Sequence, residues 1–326
     1  MEKEQFLDIK NLTVEYRSGG RTVHAVSGLD LTMGRGETLG FVGETGAGKT
    51  TTALSVLRIL PDPPAKVVSG QVIFKGRDLY ALSEREMRGI RGKEIAMIFQ
   101  DPMTSLDPVK TVGNQIQEML LLHEKLSKKE AWKRAQDMLS VVGIDPGRAG
   151  EYPHQFSGGM KQRVVIAIAL SCNPALMIAD EPTTALDVTI QAQILELMRG
   201  LKDKYDMSMM MITHDLGIVA EICDHVAIMY AGSILEYGSV HEIFEDPRHP
   251  YTQALFHSIP DLEREQEFLN VISGLAPDPT DIPAGCPFHP RCPHCTEVCR
   301  TRRPDRTELG GSHWVKCVLA DREEGR

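Results

Sequence analysis

No stretch of this chain stays apolar long enough to cross a membrane. The best run, Val164 to Leu170, falls far short of the roughly 20 residues that a spanning helix needs. The opening Met-Glu-Lys-Glu-Gln has no apolar secretory segment behind it. Together these predict a cytosolic chain that reaches a membrane only through a partner. Positive charge is also short: 36 Lys and Arg face 45 Asp and Glu, a net of −9. That argues against broad nucleic-acid binding. Internal repeats and low-complexity tracts are absent. What remains is an ordinary globular composition, 42% hydrophobic over 326 residues, enough for a large domain and a smaller one.

Cysteine is scarce for most of the length. Only Cys172 and Cys223 precede the last 41 residues, which hold Cys286, Cys292, Cys295, Cys299 and Cys317. An even spread would put about one cysteine there. In a reducing cytosol disulfides explain the cluster poorly and a metal site explains it better. The spacing is C-x5-C-x2-C-x3-C-x17-C. Four thiolates gathered by a loop suit either Zn2+ or an iron–sulfur cluster. Proline-rich surroundings give this tail little core of its own, so a metal would staple it; free thiols are the plain alternative.

The densest signal is Gly43-Glu44-Thr45-Gly46-Ala47-Gly48-Lys49-Thr50. It satisfies G-x-x-x-x-G-K-[ST] at every fixed position. A strand-like run (Thr38 to Val42) precedes it and a helix-like run (Thr51 to Leu60) follows, the context that separates a phosphate loop from a glycine-rich turn. Glycines let the backbone come close and aim successive N–H groups at phosphate oxygens. The helix behind adds its N-terminal partial positive charge. Lys49 bridges β- and γ-phosphates in such a loop, and the Thr50 hydroxyl takes one Mg2+ position.

Residues 5 to 42 read as strands with a turn at Ser18-Gly19-Gly20, and 66 to 80 as another strand pair. Ile95 to Phe99 is a short buried strand ending at Gln100. From about Thr111 to Val142 the pattern is helical and amphipathic, with a breaker at Asp145-Pro146-Gly147. Leu176–Ala179, Met209–Ile212 and Val226–Tyr230 are continuous apolar runs typical of central parallel strands, and Gln191 to Lys204 is a helix between two of them. Alternating strands and helices predict an α/β sheet with ligands at the strand C-termini. Near Glu245 the composition shifts toward Pro, His, Arg and Cys and strands fade, which places a domain boundary at about 245. Tyr251 to Ser258 is a short helix, and Ala276 to Pro290 an irregular stretch.

A second set of residues suits the same ligand. Asp180-Glu181 follows the apolar strand at 176–179: one carboxylate can hold Mg2+ through a water and the next can orient an attacking water. Ser157-Gly158-Gly159 opens a helix and offers a second phosphate cradle, or merely a cap. His214 and Gln100 each follow a strand, where a side chain can reach a γ-phosphate, a metal or a water; alone, each would read as structural.

In order and kind, these motifs make residues 6 to 243 resemble the ATPase subunit of an ATP-binding-cassette transporter. The resemblance implies a P-loop α/β core of the RecA-like kind, with an antiparallel β subdomain and a helical subdomain at about 101–165. It implies that Gly43, Glu44, Thr45, Gly46, Ala47, Gly48, Lys49, Thr50 and Thr51 cradle ATP. Tyr16 stacks on the adenine, a contact of roughly 1–3 kcal/mol. Thr50, Gln100 and Asp180 serve Mg2+, and Glu181, His214, Gln100 and Lys49 are the catalytic set. Ala185-Leu186-Asp187 matches the D-loop. Ser157, Gly158 and Gly159 are the core of the signature, which departs from the common Leu-Ser-Gly-Gly-Gln through Phe156 and Met160. Two such subunits face head to tail, each ATP lying between one phosphate loop and the other subunit's signature. Asp101 to Pro108 and the helices after it match the subdomain where a membrane subunit docks.

The tail is similar to the C-terminal region of oligopeptide and dipeptide importer ATPases, through His249-Pro250-Tyr251-Thr252-Gln253-Ala254-Leu255, Gly285-Cys286-Pro287-Phe288, Arg291-Cys292, Cys299 and His313-Trp314-Val315-Lys316-Cys317. Met97 to Leu106 points to the first of the two paired ATPase subunits of such importers. The implied partners are a paralogous ATPase, two membrane permease subunits and an external peptide-binding protein, with a homodimer as the pairing of the isolated chain and no nucleic acid. The implied place is the cytoplasmic face of the membrane. In that family's pattern Cys286, Cys292, Cys299 and Cys317 are associated with a [4Fe–4S] cluster; Cys295 is extra and could substitute as a ligand, and Zn2+ is the alternative metal. The cargo is a di- or oligopeptide, with nickel and glutathione importers sharing the architecture. A soluble cassette ATPase usually shows tandem cassettes or long coiled-coil insertions, and this chain has neither. A redox-sensing regulator is the third class.

Overall fold

The computed structural model describes residues 5–184, 186–258 and 272–320. The described residues divide into two compact units: an outer one made of Gln5–Met33, Leu39–Tyr80 and the described residues from Thr213 onward, and a middle one made of Gly34–Thr38 and the described residues of 81–212.

The outer unit begins with β1 (Gln5–Ser18) and β2 (Arg21–Gly34). Gly19 and Gly20 both sit at positive φ between them, which is why this turn needs glycine. β3 (Thr38–Val42) is buried along its whole length and leads into α1 (Lys49–Leu57). β4 (Ala65–Phe74) runs antiparallel to β1, pairing Leu7 with Phe74 and Tyr16 with Ala65, and β5 (Arg77–Asp78) closes an antiparallel sheet in the order β2-β1-β4-β5.

The middle unit holds α2 (Glu84–Ile90), started by a capping box of Ser83 and Glu86, then β6 (Ile95–Ile98) and the helices α3 (Pro102–Ser105), α4 (Val112–His123), α5 (Lys128–Val141) and α6 (Gly158–Leu170). The single amphipathic stretch read at 111–142 is two helices. Ser127 and Glu130 form a capping box that satisfies the orphan N–H groups of a new helix start. α6 carries the chain's longest apolar run and buries Val164, Val165, Ile166, Ala167, Ala169 and Leu170; such an all-round apolar helix belongs to a core. Among the described residues no helix is long and apolar enough to cross a membrane. β7 (Leu176–Asp180), α7 (Val188–Tyr205) and β8 (Ser208–Thr213) complete the unit. Its strands are parallel in the order β8-β7-β6, with Ile178 beside both Met97 and Met210. Both faces of β7 and β8 are buried, as uninterrupted apolar runs require.

The chain then returns to the outer unit through α8 (Leu216–Ile222), β9 (His225–Tyr230), β10 (Ser233–Ser239), α9 (Val240–Glu245), α10 (Pro250–His257), α11 (Glu297–Thr301), β11 (Thr307–Gly310) and β12 (His313–Val315). β9 lies parallel to β3, matching Leu39 with His225 and Val42 with Ile228, and the order continues β3-β9-β10-β12-β11. Strands therefore do not fade after 245. β12 pairs with β10 at Glu236–Val315 and Tyr237–Trp314, and three residues are too few to show an alternating pattern. Nor do the residues after 245 form a body of their own. Tyr251, Cys286, Phe288 and Cys299 share a core with Val42, Val219, Ile228 and Leu235, so the tail is built onto β9 and β10.

Candidate functional site

In the outer unit β3 delivers the chain into the loop Gly43–Gly48, and α1 starts at Lys49. Two glycines are obligatory by packing. A Cβ on Gly43 would run into the Met229 carbonyl oxygen, and one on Gly48 into the Ala25 carbonyl oxygen. Gly48 is the N-cap of α1 and brings no capping side chain, so the positive helix end faces the loop. The Lys49 side chain is buried and donates from Nζ to the Gly43 oxygen at 2.6 Å and the Glu44 oxygen at 3.1 Å. Thr45, Gly46 and Thr50 are exposed, and Ala47 is buried against the scaffold. The half-buried Tyr16 meets Thr51 at 3.3 Å between hydroxyls, so the structure brings the candidate adenine-stacking residue to the loop's own helix. His214 follows β8 and is exposed.

In the middle unit Asp180 ends β7 and is buried. Glu181 comes next with φ 46, a left-handed backbone that a non-glycine residue adopts only where its surroundings enforce it. Its N–H donates to the Ile212 oxygen at 2.8 Å, which pins it to the neighbouring strand. Its carboxylate accepts from Gln100 Nε2 at 2.8 Å and Thr184 Oγ1 at 3.0 Å. Two candidates 81 positions apart thus share one hydrogen bond, and Thr184 joins them without any prior signal in the sequence. Within this unit Gln100 and Asp180 offer an amide and a carboxylate, hard oxygen donors of the kind that suit Mg2+.

Ser157 caps α6, accepting from the Met160 N–H at 3.4 Å. Ser157 and Gly158 are exposed, whereas a Cβ on Gly159 would crowd Ile190 at the start of α7. The two departures in this motif have a common partner: Arg148 lies 4.3 Å over the Phe156 ring and donates to the Met160 sulfur at 3.5 Å. Asp187 caps α7 by accepting from the Ile190 N–H; Ala185 lies outside the described residues.

Cys286, Cys292, Cys299 and Cys317 line one cavity of about 10 Å³ in the outer unit, together with His249, His289 and His294. Cys295 does not line it; its thiol donates to the Thr296 oxygen. Burial pushes the Cys286 thiol up to about 12 and raises Cys292 and Cys317 as well. Among the described residues no group of three or more His, Cys, Asp or Glu stands in a metal-holding arrangement. The expected centre is therefore corrected in one respect: its cysteines converge on a cavity but are not drawn to coordination distance. The donor chemistry does fit a thiophilic metal. His249 adds an orphan: its Nδ1 accepts from the Tyr251 N–H at 3.0 Å, while its buried Nε2 faces no protein partner. Buried polar atoms of this kind call for a missing group. Nothing local in the sequence marks His249, Tyr251 and Arg291 as parts of a site.

The family described as "ABC transporter" matches residues 26–184, and "Oligopeptide/dipeptide transporter, C-terminal region" matches residues 235–299. The chain is 52% identical over 320 residues to the dipeptide transport ATP-binding protein DppD of Bacillus subtilis (strain 168), covering 98% of this chain and 96% of the relative. It is 50% identical over 318 residues to the oligopeptide transport ATP-binding protein OppD of the same organism, covering 97% and 89%. Among solved structures it resembles the ATP-binding cassette MJ0796 in a dimeric post-hydrolysis state bound to ADP and Pi, with a TM-score of 0.65 and 26% identity over 72% of this chain and 99% of that one.

Proposed function

The chain belongs to the ABC transporter family, and from that premise we propose that it is the ATP-hydrolysing subunit of a di- or oligopeptide importer. The observation that carries this reading is the complete phosphate loop Gly43–Thr50, set at the N-terminus of α1 with Lys49 buried against it. The dipeptide and oligopeptide transport functions named for its relatives, at 52% and 50% identity over nearly the whole length, supply the cargo class.

The residues divide the work. Lys49 exchanges the Gly43 and Glu44 carbonyls for β- and γ-phosphate oxygens, and the N–H groups of residues 46 to 51 take the rest of the phosphate charge. Tyr16 stacks on the adenine. Thr50, Gln100 and Asp180 would hold Mg2+, which would supply charge neutralisation on the triphosphate. Glu181 orients and deprotonates the attacking water, and Gln100 holds that carboxylate in place. His214 contacts the γ-phosphate. Ser157, Gly158 and Gly159 close over the ATP of a paired subunit, so nucleotide joins two surfaces and hydrolysis parts them.

A paralogous ATPase, two permease subunits and an external binding protein complete the machine at the cytoplasmic face of the membrane. Val109 and Leu122, beside and within α4, are 78% and 72% exposed and suit docking of a permease. Cys286, Cys292, Cys299 and Cys317 would hold a structural metal centre, [4Fe–4S] by family resemblance or Zn2+ as the alternative thiophilic metal.

The test is ATP turnover by the assembled complex. Peptide-loaded binding protein is expected to stimulate phosphate release. Glu181→Gln is expected to retain ATP while turnover falls roughly 10²- to 10⁴-fold. Absence of phosphate release from the complete wild-type assembly, or wild-type turnover in Glu181→Gln, overturns the assignment. Stimulation by nickel or glutathione in place of peptide moves the cargo to that alternative.

A further inference from the structure

The C-terminal segment reaches back to the phosphate loop at two points. The Glu44 N–H donates to the Tyr251 hydroxyl at 3.0 Å, across 207 positions. Arg291 donates from Nη1 to the Glu44 carboxylate at 2.9 Å and to the Tyr230 hydroxyl at 3.2 Å. Its remaining nitrogens are also engaged, Nη2 with the Ile272 oxygen at 3.1 Å and Nε with the Ser273 oxygen at 3.0 Å. The Arg291 side chain is 6% exposed, so its geometry is set by partners on several sides and its ion pair is not a water-screened surface contact. Beneath it Tyr230, Tyr251 and Phe288 pack ring against ring, with centroids 4.6 to 5.4 Å apart.

Lys49 holds the same peptide segment from the inner side, through the Gly43 and Glu44 carbonyls. That tie must break when the ammonium turns to phosphate. A loop left with no second restraint would have to be ordered by the nucleotide, at a cost in affinity. We propose that Tyr251 and Arg291 are positioning residues for nucleotide binding, a brace that keeps the Gly43–Glu44 backbone in its phosphate-accepting shape once Lys49 lets go. The brace does a second job. It neutralises Glu44, the one carboxylate that the phosphate loop carries, where a free negative charge would oppose a triphosphate. This rests on the loop being the nucleotide site.

Equilibrium binding of a fluorescent ATP analogue with Mg2+ to the full chain tests it. Tyr251→Phe keeps the ring and loses the acceptor; Arg291→Lys keeps the charge and loses the fork. Tyr251→Phe is expected to weaken nucleotide affinity about three- to ten-fold, the loss of one hydrogen bond, and Arg291→Lys by at least about three-fold. In the assembled complex KM for ATP is expected to rise with kcat retained. Because Arg291 acts through Glu44, Arg291→Lys is expected to add nothing in a Glu44→Ala background. Unchanged affinity in both variants, even with a lowered melting temperature, overturns the brace, as does an undiminished Arg291→Lys effect when Glu44 is Ala. If the wild-type chain itself binds no nucleotide, the phosphate-loop reading fails instead.

Discussion

Single side chains carry the chemistry, and Lys49 is the clearest case. Its ammonium is buried and already satisfied by two backbone carbonyls, so it is held inside the loop before any ligand arrives. Lys49→Ala removes a charged donor and is expected to weaken ATP binding about 10- to 100-fold, read by the same fluorescence titration; unchanged affinity contradicts its phosphate role. Lys49 was legible because the motif is contiguous and each of its residue types has a physical reason. Glu181 was legible as a carboxylate after an apolar strand, but its left-handed backbone was not, since a glutamate gives no sign of positive φ. Tyr251 and Arg291 gave no sign either. Their partner Glu44 lies 207 and 247 positions away, and no local pattern spans that separation.

Elements follow the same division. The buried parallel strands β3, β7, β8 and β9 announce themselves as apolar runs because both faces need covering. The short pieces α2, α8, β11 and β12 do not, because tertiary partners rather than periodicity stabilise them. The β11–β12 hairpin shows one such tie. Its turn residue Ser312 donates to the carboxylate of Glu242 in α9 through its hydroxyl at 2.7 Å and its N–H at 3.2 Å, and Ser239 adds its N–H at 2.7 Å. Burial works to raise the Glu242 pKa, but these hydrogen bonds prevail and lower it from 4.5 to about 2. A depressed carboxylate contributes stability that is complete above its unfolded value and is lost as protons bind. The contribution is therefore expected to be full above pH about 4.5 and to vanish as the pH falls toward 2. Melting temperatures of wild type and Glu242→Gln should differ at neutral pH and converge across that window. A difference independent of pH shows that the carboxylate's charge is not what holds the hairpin.

For the molecule as a whole, the cysteine cavity is the feature that joins distant sequence. It gathers Cys286, Cys292, Cys299, Cys317 and His249 from separate segments and leaves Cys295 outside. Iron, acid-labile sulfide and zinc analysis of anaerobically purified protein is expected to show a bound metal that survives Cys295→Ser and is lost in Cys299→Ser. Protein free of both iron and zinc, or loss of metal in Cys295→Ser alone, removes the four-cysteine centre. Phosphate-binding chemistry and the α/β class could be read along the chain, because each rests on short-range spacing or on the familiar order of motifs. The two discontinuous units, the merging of the tail into the β9–β10 core, the Gln100–Glu181 bond and the grip of Arg291 and Tyr251 on Glu44 were decided only by folding. Spacing records what neighbours along the backbone can do together; which remote groups become neighbours depends on how buried surfaces pack.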